Sequence, residues 1–178
     1  HRGFLPLYVL AWFGIGLATA TISGVSIPAL FSALDDSSKA RNQTLNTAIG
    51  GVVVILTTPL FGRLSDRTMS RMGIRRPWIL GGALLGCAGA AVLAFAQSAW
   101  IVILGWVIVQ IGYGGANAAV HALLADQIPK RIRARVAGVT SAASALALIA
   151  GTQIVSLLPL EQPWLWFIVP GVLGTLLN

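Results

Sequence analysis

At 178 residues the chain could form one soluble domain, yet 56% of its residues are hydrophobic and only 10% charged, against roughly 25% charged in ordinary soluble domains. Its uncharged runs are too long and too numerous for a single buried core and place the chain in a bilayer. The net charge of +7 would suit nucleic acid, but the basic residues sit in short clusters between apolar runs, as in the cytoplasmic loops of membrane proteins, so no nucleic-acid partner is expected.

The first uncharged run extends from Gly3 to Leu34 and as one helix would reach roughly 48 Å, beyond the roughly 30 Å hydrocarbon core. Such a run exceeds a signal peptide and is followed by more spans, so cleavage is not expected. A polar loop from Asp35 to Arg41 leads to a second run, Asn42 to Gly62, and then to a charged stretch from Arg63 to Arg76. No charge appears between Pro77 and Ala125; as one helix this segment would measure about 74 Å, more than twice the bilayer, so it must turn back. The turn is expected at Gln97-Ser98-Ala99, with Trp100 at interfacial depth. A basic loop from Asp126 to Arg135 follows, then a fifth run to about Leu158 and a sixth from Trp164. Six spans are expected, over residues 4–33, 43–63, 78–96, 100–125, 136–158 and 164–178. The fold class is all-α membrane protein. Because the chain opens at His1 and ends at Asn178 inside an apolar run, it is expected to be a piece of a longer protein.

Of the twelve Lys and Arg, ten lie at the N-terminus and in the even-numbered loops: Arg2, then Arg63, Arg67, Arg71, Arg75 and Arg76, then Lys130, Arg131, Arg133 and Arg135. The other side carries only Lys39 and Arg41, offset by Asp35, Asp36 and Glu161. Short cytoplasmic loops retain Lys and Arg, so the N-terminus is expected in the cytoplasm.

No run interior contains Asp, Glu, Lys or Arg, and His121 is the one ionisable group with an expected intramembrane position. At about 100° per residue, Trp106, Gln110, Tyr113, Asn117 and His121 fall within one arc of about 80° on the fourth helix. The first run repeats the pattern more weakly with Tyr8, Trp12, Thr19, Ser23 and Ser26, and the fifth with Ser141, Ser144, Thr152 and Ser156. The serines and threonines read mainly as hydrogen-bonders between helices. The stacked Gln110, Asn117 and His121, flanked by aromatic residues, read as the wall of a water-filled substrate cavity, to which Trp12, Thr19, Ser23, Trp106, Tyr113 and Ser144 are assigned as well. Gly82 and Gly86 form a small-xxx-small face for close helix packing. Cys87, the single cysteine, reads as a small packing residue, and its isolation excludes a disulfide framework or a cysteine metal site. No HExxH, GxSxG or pair of carboxylates at membrane depth is present, so the chain reads as neither an enzyme nor a cofactor protein.

The segment Gly62-Arg63-Leu64-Ser65-Asp66-Arg67, followed by Arg71-Met72-Gly73-Ile74-Arg75-Arg76-Pro77, resembles the loop between helices two and three of the major facilitator superfamily. Its longer form, closing in Arg75-Arg76-Pro77, looks like the variant found among sugar:cation symporters. A second likeness lies after the fourth run, where Asp126-Gln127-Ile128-Pro129 leads to Arg133, Arg135 and Gly138. The resemblance covers all six spans. The family's pattern is not complete: Val107 stands where many proton-coupled members carry Arg, Gly151-Thr152-Gln153 replaces the Gly-Pro motif of drug antiporters, and the membrane carboxylates of melibiose-type symporters are missing. Drug:proton antiport is therefore disfavoured.

What the resemblance implies is the N-terminal six-helix half of a twelve-helix secondary transporter, built from two inverted three-helix repeats and completed by a C-terminal half beyond this stretch. Its partners would be a small-molecule substrate, possibilities being a sugar or related polar metabolite, and the lipid bilayer; its expected location is the bacterial cytoplasmic membrane. A gating loop is implied at Gly62, Asp66, Arg67, Arg71, Gly73, Arg75 and Arg76, with Asp126 and Arg133. The rival readings are a membrane scaffold or receptor that keeps the fold without transport, and a membrane-embedded enzyme.

Overall fold

Backbone N–H and C=O groups find no water in hydrocarbon, so a lipid-spanning chain must satisfy them within helices or a closed barrel. The computed structural model describes residues 4–68, 75–159 and 161–178, and the side chains of all of these except 4, 125–127 and 130. Every regular element among them is helical. The first span is built from α1 (Phe4–Thr21), a π-helical turn (Ile22–Ser26) and α2 (Ile27–Leu34). It is followed by α3 (Lys39–Arg67), α4 (Arg76–Ala94), α5 (Ala99–Gln127), α6 (Lys130–Leu157) and α7 (Leu165–Leu176). The first span and α3 to α6 are long and apolar enough to cross a membrane, and α7 is a shorter apolar helix.

The helices run past the apolar segments. Asp66 and Arg67 lie in the last turn of α3, and Arg131, Arg133 and Arg135 lie in the first turns of α6. The stretch from Asp126 to Arg135, expected as a loop, is helical except at Ile128 and Pro129. Hydropathy marks membrane depth rather than helix ends: Lys and Arg are good helix formers, and in this stretch the helix breaks at Pro129, which lacks an N–H. Likewise α4 opens with Pro77 in its first turn, where the missing N–H costs nothing.

The packing centres on α1 and α5, each of which carries two outer helices. α5 packs against α4 and α3, α1 packs against α7 and α6, α4 packs against α7, and α1 also touches α5. Exchanging α1 with α5, α3 with α6 and α4 with α7 maps this set of contacts onto itself. Successive spans alternate in direction, so the exchange also inverts the chain, which is the signature of an inverted three-helix repeat.

Glycines close the seams on both sides of this relation. Between α4 and α5, a Cβ on Gly82 would stand 2.6 Å from the Gly112 carbonyl oxygen, and one on Gly89 would stand 2.6 Å from the Val109 nitrogen. Between α1 and α7, a Cβ on Gly174 would stand 2.8 Å from the Gly14 carbonyl oxygen. Such contacts are backbone against backbone and cannot be relieved by a rotamer change. Buried side-chain bonds add specificity: Ser26 Oγ donates to the Trp166 carbonyl at 2.8 Å, and Thr175 Oγ1 donates to the Ala83 carbonyl at 3.1 Å.

The seam predicts a sharp contrast between two glycine variants in thermal unfolding of the purified protein. A Cβ on Gly112 would overlap the Gly86 nitrogen and sit 2.7 Å from the Gly82 carbonyl, so Gly112→Val should cost roughly 1–3 kcal/mol or more. Gly81 has open space around it, and Gly81→Ala should leave the midpoint unchanged or slightly raised.

Candidate functional site

The five polar and aromatic residues of the α5 arc do not share one environment. Measured from Trp106, they lie at roughly −20° (Tyr113), 0° (Trp106), 20° (Asn117), 40° (Gln110) and 60° (His121) around the helix. Exposure rises in that order: Tyr113 and Trp106 are buried, Asn117 and Gln110 are half-buried, and His121 is exposed. The arc therefore straddles the boundary between the packed interior and an open face formed with α1 and α3.

Tyr113 is at the interior end. Its hydroxyl donates to the Gly171 carbonyl at 2.7 Å and shares a 3.1 Å bond with Thr175 Oγ1, and its ring covers Gly86. It ties α5 to α7 and α4, which corrects its assignment to the cavity wall: a fully buried ring bonded to a neighbouring backbone has no surface left for a solute. Trp106 packs across α3, where only a glycine at position 50 leaves room for its indole, with Gln110 alongside.

His121 is at the open end. Its ring meets the Trp12 indole edge to face, with centroids 4.5 Å apart and an interplanar angle of 89°. Tyr8 extends the aromatic patch along α1, 6.5 Å from Trp12. Within this group the Asn117 Oδ1 acceptor is buried and has no hydrogen-bond partner among the described residues, while the Trp12 indole lies against the Tyr8 side chain. An orphaned buried polar atom costs about 1–3 kcal/mol, and such atoms call for an explanation in a ligand, water or partner chain. An unsatisfied acceptor thus lies just beneath the open face, beside two aromatic rings.

The hydroxyls assigned to the cavity are otherwise engaged. Thr19 Oγ1 donates to the Ile15 carbonyl at 2.7 Å, Ser23 Oγ to Ala20 at 3.4 Å and Ser144 Oγ to Thr140 at 3.0 Å, each within its own helix. Ser144 also packs on α1 at Gly16. These residues serve helix packing, with lone pairs rather than donors left for anything else.

α3 supplies groups that the sequence reading passed over. Asn42 and Asn46 are buried on one face one and two turns before Gly50, and Asn46 Oδ1 is without a partner among the described residues. Their i, i+4, i+8 spacing was the available signal. Further along, Thr57 stands beside Gly114 of α5.

At the far end of α3 the charged corner has a defined geometry. Arg75 Nη1 is 2.5 Å from Asp66 Oδ1 and donates to Ser65 Oγ at 2.6 Å, while Ser65 Oγ donates to the Gly62 carbonyl at 3.0 Å. Trp78 Nε1 donates to Thr68 Oγ1 at 2.8 Å and its ring meets Phe61 edge to face, so α3 and α4 are pinned at this end. Arg67 and Arg76 are exposed. Arg133 donates from Nε to the Ile128 carbonyl at 2.9 Å and caps the end of α5. Arg71 and Gly73, and the side chain of Asp126, lie outside the described residues.

The two classes of group respond differently to mutation. Tyr113→Phe removes two interior hydrogen bonds and should destabilise the fold by about 1–2 kcal/mol, read as a lower unfolding midpoint, while leaving the affinity for any transported solute unchanged. A weakened affinity at unchanged stability would return Tyr113 to the cavity wall.

The family description Major Facilitator Superfamily matches residues 4–177. Among curated proteins, inositol transporter 4 of Arabidopsis thaliana is 27% identical over 164 residues, covering 89% of this chain and 26% of that protein. The human solute carrier family 2, facilitated glucose transporter member 6 is 28% identical over 181 residues, covering 96% of this chain and 32% of its own length. Sugar transport protein 1 of Arabidopsis thaliana is 36% identical over 74 residues, covering 42% of this chain and 14% of that protein. The chain thus spans a third or less of the length of each of these relatives.

Proposed function

The chain belongs to the major facilitator superfamily, and on that premise we propose that its helices form the N-terminal half of an integral membrane transporter that moves a small polar solute by alternating access. The observation that carries this reading is the unpartnered Asn117 Oδ1 just beneath the open face, beside the Trp12–His121 ring pair. A solute bearing hydroxyl groups donates to an amide oxygen, and its apolar face packs on aromatic rings. Sugars and cyclitols fit this chemistry, and the relatives' names, which speak of sugar, inositol and glucose, support the same class. A second six-helix half would face α3 and α6 and close the cavity.

The ten-to-two division of basic residues supports an N-terminus in the cytoplasm. Its plant and human relatives extend the expected host membrane beyond bacteria. Symport of the kind the loop suggests would need a coupling carboxylate outside this stretch, because the run interiors contain no Asp or Glu. Gln110, Asn117, His121 and Trp12 are the proposed solute contacts.

Flux of radiolabelled glucose and inositol into vesicles holding the full-length protein tests the proposal. Asn117→Ala and His121→Ala should raise KM by about two- to tenfold, the weight of one lost hydrogen bond, with unfolding midpoints unchanged. Absence of flux for any polyhydroxylated solute, with the protein folded, would favour the scaffold reading instead.

The corner formed by Ser65, Asp66 and Arg75 is proposed as a conformational latch. Exposed ion pairs contribute little, but Arg75 is largely buried and bonds both Asp66 and the fully buried Ser65, and charge-assisted bonds of this kind fix geometry. Asp66→Asn should shift the inward/outward balance, measured by accessibility of a cavity cysteine, and slow flux while leaving insertion intact. Unchanged populations and flux would reduce the cluster to a topology signal.

A further inference from the structure

At the end of the bundle opposite the Asp66–Arg75 corner lies a cleft of about 500 Å³, between the end of α2, the start of α3 and the turn into α5. Its volume falls within the roughly 300–1,000 Å³ of small-molecule sites. One part of the lining is apolar, with Leu34, Leu45, Ile103 and Trp100; the other is polar, with Asp35 and Arg41 prominent. Trp100 is 73% exposed, at the depth where tryptophan marks the membrane–water boundary.

The two charges on this lining do not neutralise each other. Asp35 and Arg41 form no ion pair among the described residues, and Arg41 donates no side-chain hydrogen bond among them. Asp35 is held in place by the chain: Oδ1 accepts from the Ser37 backbone N–H at 3.0 Å and from Ser37 Oγ at 2.6 Å, and Oδ2 accepts from Ser38 Oγ at 2.6 Å. These bonds, led by the two serine hydroxyls, hold its carboxyl below the usual carboxylate range, so it is anionic at neutral pH. Asn42 donates to Ser38 Oγ at 3.0 Å and fixes the serine in turn. The carboxylate is therefore positioned in advance, and an unpaired guanidinium stands on the same lining with an apolar wall and an interfacial tryptophan beside it.

We propose that this cleft holds the headgroup of a zwitterionic phospholipid, its phosphate on Arg41, its ammonium against Asp35, and its glycerol and first acyl carbons along Leu34, Leu45, Ile103 and Trp100. The requirement is one molecule that carries both charges and continues into an apolar tail. An anionic lipid would satisfy Arg41 but face Asp35 as a like charge, and a soluble zwitterion would leave the apolar wall bare. Arg favours phosphate through its forked donors. The site is at the opposite end of the bundle from the basic cluster, which would recruit anionic lipid through net charge alone; here selectivity comes from the pairing of opposite signs.

The test is lipid titration of the delipidated full-length protein by native mass spectrometry, with dioleoylphosphatidylethanolamine, dioleoylphosphatidylglycerol and glycerophosphoethanolamine as probes. The wild type should retain the ethanolamine lipid in preference to the glycerol lipid. Arg41→Gln should weaken retention of both lipids by about three- to fivefold, whereas Asp35→Asn should weaken the ethanolamine lipid by a similar factor and not the glycerol lipid. Arg41→Gln breaks no side-chain hydrogen bond among the described residues, so it stays informative even where Asp35→Asn disturbs the turn before α3. Equal retention of the ethanolamine lipid by wild type and Arg41→Gln would overturn the proposal. So would glycerophosphoethanolamine binding as tightly as the intact lipid, which would make the cleft a site for a soluble solute.

Discussion

Backbone contact through glycine between α4 and α5 is the constraint on which the remaining geometry depends. In a bilayer, apolar side chains gain nothing by leaving lipid for one another, so association rests on close packing and on hydrogen bonds that cross between helices. Gly82, Gly86 and Gly89 on α4 meet Gly105, Val109 and Gly112 on α5 at backbone distance. That approach fixes the rotation of α5 about its own axis. Once the rotation is fixed, Tyr113 must enter the interior toward α7, Trp106 must cross α3 at Gly50, and His121 must emerge at the open face beside Trp12. The functional face is thus a consequence of a seam on the far side of the same helix.

The inverted repeat explains why α1 is the other half of that face. Under the exchange that maps the contacts onto themselves, α1 takes the place of α5, and Gly14 with Gly174 takes the place of the α4–α5 glycines. Each central helix is pinned by a glycine seam on one side and carries aromatic residues on another. Trp12 and His121, one from each repeat, meet where the two central helices touch. The two repeats are not equal in polarity, however. α5 contributes amides and an imidazole, whereas the hydroxyls of the first span at Thr19 and Ser23 bond back to their own backbone. In the proposed reading, the polar solute contacts come mainly from one repeat while the other supplies aromatic surface.

Much of this was legible in residue order because lipid imposes a simple rule. Runs of uncharged residues between arginine clusters mark the spans, and the Gly82–Gly86 spacing marks a packing face before any coordinates. Helical periodicity grouped Trp106, Gln110, Tyr113, Asn117 and His121, but an arc of about 80° is wide enough to include both a core tyrosine and an exposed histidine, and only the glycine seam decides between them. Asn42, Asn46 and Gly50 repeat every four residues along the second run; two amides and a glycine carry little weight beside an aromatic stripe, yet in the fold both amides are buried and Gly50 lies against Trp106 of α5. The charged corner was legible as a motif but not as an object, since nothing in the order of residues says that Arg75 reaches both Asp66 and the buried Ser65. Nor does hydropathy show that Asp66 and Arg133 are helical, because charge ends a span without ending a helix.

α3 is where these features meet. It is the least buried of the spanning helices, it carries Asp66 and Ser65 at one end, Arg41 and Asn42 at the other, and Gly50 beneath Trp106 between them. A helix so weakly held by its own half is suited to bear against a second half. Its side chains at both ends are nevertheless pinned, by Trp78 and Phe61 at the basic corner and by the Asp35–Ser38–Asn42 chain at the other. Between those ends α3 carries Pro59, where the missing N–H lets a helix bend, so the two ends need not move together. A ligand at either end could then shift the conformational balance only through contacts that differ between the two states. The Asp66–Arg75 corner satisfies that condition if its charges are shared with the second half in one state and not in the other; the lipid cleft satisfies it only if α3 moves relative to α5 at Ile103, which lines the cleft on the α5 side. The two ends are therefore distinguishable in principle: charge removal at the corner acts through the second half, whereas occupancy of the cleft acts within this one.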